Sequence, residues 1–271
     1  MVSAEPGPAW ADDVKACCAA AYGTDAVALL LGTAYHPGGL ALTRRLAGAL
    51  SLAPGQRVLD VAAGPGATAR LLALEHEVLV DGVDLGEHTV LSAREATVRA
   101  GLAERVAFRV GDAEQLPVTD AGYDALVCEC ALCTFPDKTV AAAEFARALR
   151  PGGRVGITDV TVAPEGLPAE LAGITGWVAC IADARPSADY EQLLVDAGLR
   201  PLRRERHDTA IARMVDEIEA RIGMFEMTAP ERLAAAGVDA EAVRGYLVAA
   251  RRAVEAGTIG YTLLVAEKPA A

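Results

Sequence analysis

The segment Arg57-Val-Leu-Asp-Val-Ala-Ala-Gly-Pro-Gly-Ala-Thr68 decides the fold of this chain. It starts as an apolar run, breaks at two glycines, and resumes with helical spacing at Ala69, Leu71, Leu72 and Leu74. That order predicts a buried strand, a tight turn and a helix. Glycines in such a turn allow the backbone to approach a ligand closely, and the helix that follows presents free N–H groups.

The alternation of strand and helix continues beyond this segment. Strands are predicted at 58–61, 78–83, 106–110, 125–128 and 154–158, with helical stretches between them, which indicates right-handed βαβ units and an α/β fold with a parallel sheet. Two late strands are predicted at 203–209 and 259–266. Residues 1–50 are assigned to an N-terminal helical cap, interrupted at Pro37-Gly-Gly39, and residues 51–271 to the main domain.

Composition narrows the class of protein. The chain has 271 residues, 52% of them apolar, which is enough for one substantial core. Its net charge of −12 argues against a nucleic-acid partner, since such affinity depends on contacts from Lys and Arg. No signal-like segment and no run near the roughly 20 apolar residues that span a bilayer is found, so a cytoplasmic protein without a membrane partner is expected.

Six cysteines are unusual for such a chain, and three of them fall within Cys128-Glu-Cys-Ala-Leu-Cys133. In a reducing compartment cysteines are more often metal-binding or catalytic than disulfide-bonded. Cys128 ends a central strand, where a small apolar side chain packs well, so a core position is favoured for it. Cys130 and Cys133 follow the strand, in the loop region where ligands bind.

The glycine turn fits a dinucleotide fingerprint poorly, because Ala62 replaces the first glycine of that pattern. An acidic residue, Asp84, nevertheless follows at the end of the second strand. A carboxylate at this place accepts hydrogen bonds from two ribose hydroxyls, whereas on its own Asp84 would be read as a helix cap or loop residue.

These segments together resemble the class I S-adenosylmethionine-dependent methyltransferases. The resemblance rests on Asp60-Val-Ala-Ala-Gly-Pro-Gly66, on Asp84, on Gly111-Asp-Ala-Glu-Gln-Leu-Pro117 and on Leu149-Arg-Pro-Gly-Gly153, which follow in the family's order. It implies a Rossmann-like, seven-stranded, mostly parallel sheet with an antiparallel last strand, and S-adenosyl-L-methionine as cofactor. The cofactor-binding residues that it implies are Asp60, Ala62, Gly64, Gly66, Asp84, Leu85, Asp112, Ala113 and Cys128.

Within that family the chain looks most like the arsenite methyltransferases. Cys130, ahead of Phe135-Pro-Asp-Lys138, takes the place of their arsenic-binding cysteine; Cys180 matches a second, in an insertion over the active site at 159–187. The pair in Ala16-Cys-Cys18 is similar to one near their N-terminus. The resemblance implies arsenite as substrate, a thiol reductant as partner, catalytic roles for Cys130, Cys180 and Cys18, and an arsenic-binding set of Cys17, Cys18, Cys130, Cys133 and Cys180.

The chemistry is consistent with that reading. Trivalent arsenic is soft and prefers thiolates, and its lone pair needs no general base to attack a methyl group in line. No histidine–carboxylate constellation stands out among the scattered His36, His76, His88 and His207.

Four alternatives remain open. The chain fits a quinone or natural-product methyltransferase with incidental cysteines, or a thiol-based metalloid sensor without catalytic activity. The C-x-x-C spacing of Cys130 and Cys133 also suggests a zinc site, for which Cys17 and Cys18 could supply further ligands. Transfer of the aminocarboxypropyl group in place of the methyl group is the fourth.

Overall fold

Seven strands form one sheet in the order β3-β2-β1-β4-β5-β7-β6. The computed structural model describes residues 8–167, 171, 181 and 183–270. Neighbouring strands from β3 to β5 are parallel, and β7 runs antiparallel to both β5 and β6, which confirms the expected fold class. The strands are β1 Arg57–Val61, β2 Leu79–Asp84, β3 Val106–Val110, β4 Tyr123–Glu129, β5 Leu149–Val162, β6 Arg200–Arg206 and β7 Ile259–Glu267.

Helices cover the sheet and extend beyond it. They are α1 Pro8–Tyr22, α2 Asp25–Leu31, α3 Gly39–Leu50, α4 Ala67–His76, α5 Glu87–Arg99, α6 Lys138–Ala148, α7 Ser187–Asp196, α8 Asp208–Thr228, α9 Pro230–Ala235 and α10 Ala240–Glu255. Short polar residues begin several of them: the side chains of Thr24, Asp137 and Asp239 each accept a hydrogen bond from a backbone N–H of the first turn.

The core lies around the central strands. Leu59 of β1, Leu126 of β4 and Ile157 of β5 are fully buried, as expected for strands covered on both faces. Leu46 and Leu50 of α3 belong to the same apolar cluster, so the last helix of the predicted cap packs directly against the sheet. The proposed boundary at residue 50 stays a prediction.

Two strands differ from their predicted extents. β6 spans 200–206 and not 203–209, because Asp208 begins α8 and its Oδ1 accepts a hydrogen bond from the N–H of Tyr261, 3.0 Å away. β5 extends from 149 to 162, because Leu149 pairs with Tyr123 of β4 at its start and residues 154–162 pair with β7. Residues 159–162 of the predicted insertion therefore belong to the sheet, and much of the remainder, including Cys180, lies outside the described residues.

Helices α8–α10 connect β6 to β7 along the chain and form a second layer. Val215 and Ile222 of α8 pack with Leu247 of α10 in a small apolar cluster that also contacts Leu30 of α2. This layer stands over the carboxyl ends of the strands.

Within the described part of the chain, no single helix is long and apolar enough to cross a membrane. The segments Ala11–Tyr22 and Asp25–Leu31 satisfy the criterion of length and composition only as a pair, which is bent by 64°.

Candidate active site

Two adjoining cavities open at the carboxyl ends of the parallel strands. We call the first the turn cavity, because the turn after β1 forms its floor; the ends of β2 and β4, the segment after β3 and one side of α1 complete it. The predicted residues Ala62, Gly64, Asp84, Leu85, Asp112 and Ala113 all line it. Ala62 and Gly64 have φ values of 55° and 53°, and this left-handed conformation is costly for the alanine.

Asp84 is fixed by the turn that it faces. Its Oδ2 accepts a hydrogen bond from the N–H of Gly64 and its Oδ1 one from the N–H of Gly86, both at 2.9 Å. Burial raises the pKa of Asp84, although these two hydrogen bonds counteract it. Each oxygen retains lone-pair capacity, so the carboxylate suits a ligand with two neighbouring hydroxyls.

Glu129 is a further residue of the site. It ends β4 and lines the turn cavity, yet its side chain is only 4% exposed. Its Oε2 accepts hydrogen bonds from the hydroxyls of Thr68 at 2.6 Å and Thr43 at 3.0 Å, and lies 3.6 Å from Nε2 of His36. The expectation of no histidine–carboxylate pair is therefore corrected, since the fold brings His36 and Glu129 together. The sequence signal was an acid directly after a central strand.

Helix α1 closes the turn cavity. Nζ of Lys15 lies 2.7 Å from Oδ2 of Asp112 and 2.5 Å from Oε2 of Glu114. Burial alone would lower the pKa of Lys15, but the hydrogen bonds to Asp112 and Glu114 outweigh it and raise the pKa. The enclosed volume is about 130 Å³, below the roughly 300–1,000 Å³ typical of ligand pockets. We therefore expect α1 to move outward when a ligand enters.

The structure divides the predicted cysteines. Cys18 lines the turn cavity and Cys130 lines both cavities, whereas Cys17, Cys128 and Cys133 line neither. Cys128 and Cys133 are buried in the core, and burial, followed by the charge of Asp159, raises the pKa of the Cys128 thiol well above its usual range.

Metal binding gains no support from this arrangement. Between residues 8 and 270, as far as the structure describes them, no group of three His, Cys, Asp or Glu side chains could hold a metal ion, so the zinc alternative lacks a ligand set there.

Asp60 and Gly66 lie beneath the turn cavity and not on its wall. Gly66 caps α4 with a φ of 76°. Asp60 is 2% exposed, and no described group donates a hydrogen bond to its Oδ2. Burial, and then the carboxylates of Glu129 and Asp84, raise the pKa of Asp60 well above its usual range. Both residues support the turn from below.

The second cavity, which we call the apolar cavity, has a volume of about 700 Å³. Helices α2, α8 and α10 form most of its wall, with side chains such as Leu31, Ile218 and Val243; Arg252 is the one charged residue among its described lining residues. Tyr22, Tyr35 and Cys130 line both cavities, so the two meet at these three side chains. Cys130 has a φ of 56°, an uncommon conformation for a residue with a side chain, and such outliers cluster at functional sites.

Comparisons with known proteins point to one family. A family model described as a methyltransferase domain matches residues 59–157. A 27-O-demethylrifamycin SV methyltransferase of Amycolatopsis mediterranei is 30% identical over 230 residues, which cover 84% of this chain and 83% of that protein. An arsenite methyltransferase of Halobacterium salinarum is 35% identical over 153 residues, but these cover 55% of this chain and 38% of that protein.

A solved structure shows the same fold. The phosphoethanolamine N-methyltransferase 2 of Haemonchus contortus, in complex with S-adenosyl-L-methionine, is similar with a TM-score of 0.75 and 22% identity, over 90% of this chain and 56% of that one.

The residues of the turn cavity suit the chemistry of S-adenosylmethionine. They include a glycine turn, the carboxylate of Asp84 with lone pairs open to hydroxyl groups, and the buried carboxylate of Glu129. The matching domain, the long relative and the sheet topology agree with this chemistry. The chain therefore belongs to the class I S-adenosylmethionine-dependent methyltransferases.

Proposed function

We propose that this methyltransferase acts on a hydroxyl group of a large, mostly apolar small molecule bound in the apolar cavity. The observation that carries the proposal is a cavity of about 700 Å³ that meets the turn cavity at Tyr22, Tyr35 and Cys130. That volume is typical of a site for a drug-sized ligand. The relative of Amycolatopsis mediterranei, a 27-O-demethylrifamycin SV methyltransferase by name, supports an oxygen acceptor.

The composition of the wall supports an uncharged acceptor. A phosphorylated acceptor would require several cations, and the described lining residues of the apolar cavity include a single one, Arg252. Arsenite would fill only a small part of this volume. Apolar contacts along α2, α8 and α10 instead suit a multi-ring or long-chain compound, whose burial supplies binding free energy in proportion to the area covered.

The residues of the site have separable tasks. Asp84 and Glu129 would hold the ribose and the cationic end of the cofactor, and the turn after β1 would support it from below. When bound, S-adenosylmethionine supplies an electrophilic methyl group. Tyr22, Tyr35 and Cys130 would exclude water where the cavities meet and align the acceptor oxygen with it.

The acceptor hydroxyl must lose its proton during the reaction, and this limits the class of compound that can act as acceptor. Burial raises the pKa of Tyr35, so its phenol stays protonated at neutral pH and is not available as a base. His36 points to Glu129 and lines neither cavity. We therefore expect an acidic hydroxyl, phenolic or enolic, which ionises near neutral pH without a strong base.

The test is an assay of S-adenosylhomocysteine formation with a panel of phenolic polyketides and quinols, with products identified by mass spectrometry. Ile218→Trp should fill the apolar cavity and abolish turnover of a bulky acceptor while leaving cofactor affinity unchanged. Met227→Trp is the matched control, because Met227 lies on the same helix and is 82% exposed. Unchanged turnover in Ile218→Trp would refute the location of the acceptor.

Arsenite methylation is the second candidate. It is favoured by the presence of Cys18 and Cys130 on the wall of one cavity, where two thiolates would hold a trivalent arsenic substrate with help from a thiol reductant. Incubation with cofactor, arsenite and reductant, followed by separation of arsenic species, tests it. Cys18→Ser and Cys130→Ser should lose activity, whereas the neighbouring exposed Cys17→Ser should not. A cytoplasmic location stays a prediction under either candidate.

A further inference from the structure

Under the proposed function, methyl transfer takes place where the two cavities meet. A methyl group that leaves a cofactor in the turn cavity and reaches an acceptor in the apolar cavity must pass the side chains that line both. Among the described residues these are Tyr22, Tyr35 and Cys130. The positively charged sulfur that carries the methyl group therefore lies beside two aromatic rings.

The two rings are placed as a pair. Tyr22 ends α1 and Tyr35 lies in the loop before α3, and their ring centroids are 6.5 Å apart with an interplanar angle of 33°. Cδ2 of Tyr35 is 3.9 Å from the point where a Cβ on Gly64 would stand, so this ring lies against the cofactor turn. The two rings are tilted relative to each other and both line the two cavities between the turn and the apolar wall.

The surrounding charges leave the rings a role in stabilising a cation. Lys15, the cation that lines the turn cavity, is neutralised by Asp112 and Glu114. Glu129 lies on the same wall, but the proposed function assigns its carboxylate to the amino end of the cofactor and not to the sulfur. An aromatic face attracts a cation within about 6 Å of its centroid, and most strongly where water is excluded.

We propose that Tyr22 and Tyr35 bind the sulfonium group of the cofactor through their ring faces and thereby distinguish the charged S-adenosylmethionine from the neutral product S-adenosylhomocysteine. The proposal rests on the proposed function for the location of the acceptor in the apolar cavity, and not on the chemical identity of the acceptor. Because the charge disappears on transfer, the attraction is lost in the product complex, which favours exchange of the spent cofactor.

The test compares affinities by calorimetry in the absence of any acceptor. The ligands are S-adenosylmethionine, S-adenosylhomocysteine and sinefungin, a stable analogue that carries an amine in place of the sulfonium. Tyr22→Leu and Tyr35→Leu should each weaken the two cationic ligands by about five- to tenfold and the neutral one by less than about twofold. Tyr22→Phe and Tyr35→Phe keep the ring and should retain the affinities of the wild type.

A second series of variants keeps the shape of the side chain, so that misfolding does not account for a loss of affinity. Mono-, di- and trifluorinated phenylalanine at position 22 or 35 withdraw electron density from the ring face with little change of shape. Affinity for the cationic ligands should fall stepwise along the series while S-adenosylhomocysteine affinity stays constant. Equal losses for charged and neutral ligands, or no trend with fluorination, would overturn the proposal and leave the rings a packing role.

Discussion

Gly82→Ala is expected to damage both stability and cofactor binding, through one aromatic ring. Gly82 lies within β2, directly beside Phe108 of β3 in the sheet register. A Cβ at position 82 would stand 2.3 Å from Cδ1 and 2.5 Å from Cε1 of Phe108. Carbon atoms in favourable contact are roughly 3.5–4.0 Å apart, so the ring would have to retreat by about 1 Å or more.

The ring has little room to retreat. Phe108 is 5% exposed, and its Cζ is 2.4 Å from the point where a Cβ on Gly66 would stand, so the ring already touches the turn that forms the cofactor site. Overpacking of a core costs about 1–3 kcal/mol, and the limited space places Gly82→Ala in the upper half, about 2–3 kcal/mol. For a chain of this length that corresponds to a fall in Tm of about 4–8 °C.

Urea unfolding followed by far-ultraviolet circular dichroism measures the loss. Phe108→Leu should relieve it: the double variant should be more stable than the sum of the single changes predicts, by about 1 kcal/mol or more. The control is Gly48→Ala in α3, where an added Cβ meets nothing within 4 Å and helix propensity should raise stability by up to about 1 kcal/mol. Strict additivity of Gly82→Ala with Phe108→Leu, or a loss below about 0.5 kcal/mol, would refute the reasoning.

Three further predictions concern charged groups. The pKa of Asp60 is raised above 3.8 in the folded state, so the folded chain binds more protons than the unfolded chain, and the free energy of unfolding falls as pH rises from about 4 through that raised pKa. This dependence is at most about 1.4 kcal/mol per pH unit. It should be absent from Asp60→Asn when denaturation is measured at several pH values. Lys15→Met should release α1 from Asp112 and speed both hydrogen exchange in α1 and cofactor dissociation by about threefold. Unchanged hydrogen exchange in α1 would contradict the view that the Lys15–Asp112 ion pair holds the helix in place. Asp84→Asn should weaken cofactor binding by about tenfold or more, and the decline of wild-type affinity on acidification, set by the raised pKa of Asp84, should be absent from the variant when titrated by calorimetry.

Local patterns were sufficient for the fold, and the turn and the acid that they predict to bind the cofactor line one cavity. The turn at Gly64 and the acid at Asp84 each follow a buried strand, and parallel strands bring their carboxyl ends to one edge. Because periodicity and turn chemistry act over a few residues, the sequence predicts both. The extents of β5 and β6 were predicted less accurately, since pairing with the distant strand β7 decides where β5 ends and which residues form β6.

Local patterns did not predict the contacts between segments that lie far apart along the chain. Glu129 is 86 residues from Thr43 and 61 from Thr68, and Lys15 is 97 from Asp112. The apolar cavity arises only when α2, α8 and α10 pack over the sheet. The spacing of residues along the chain gives no information about contacts between segments so far apart.

The cysteine segment shows the division within six residues. The sequence alone determined that Cys128, Cys130 and Cys133 stand where a central strand ends, at the edge that binds ligands. Only the tertiary structure decided which of them reaches a cavity. The backbone turns into the left-handed region at Cys130 and then forms a 3-10 turn at Leu132–Thr134, so Cys128 and Cys133 are directed into the core while Cys130 faces the place where the two cavities meet. The physical reason is that the direction of a side chain at the end of a strand depends on backbone torsions set by packing against neighbouring segments, and not on residue spacing.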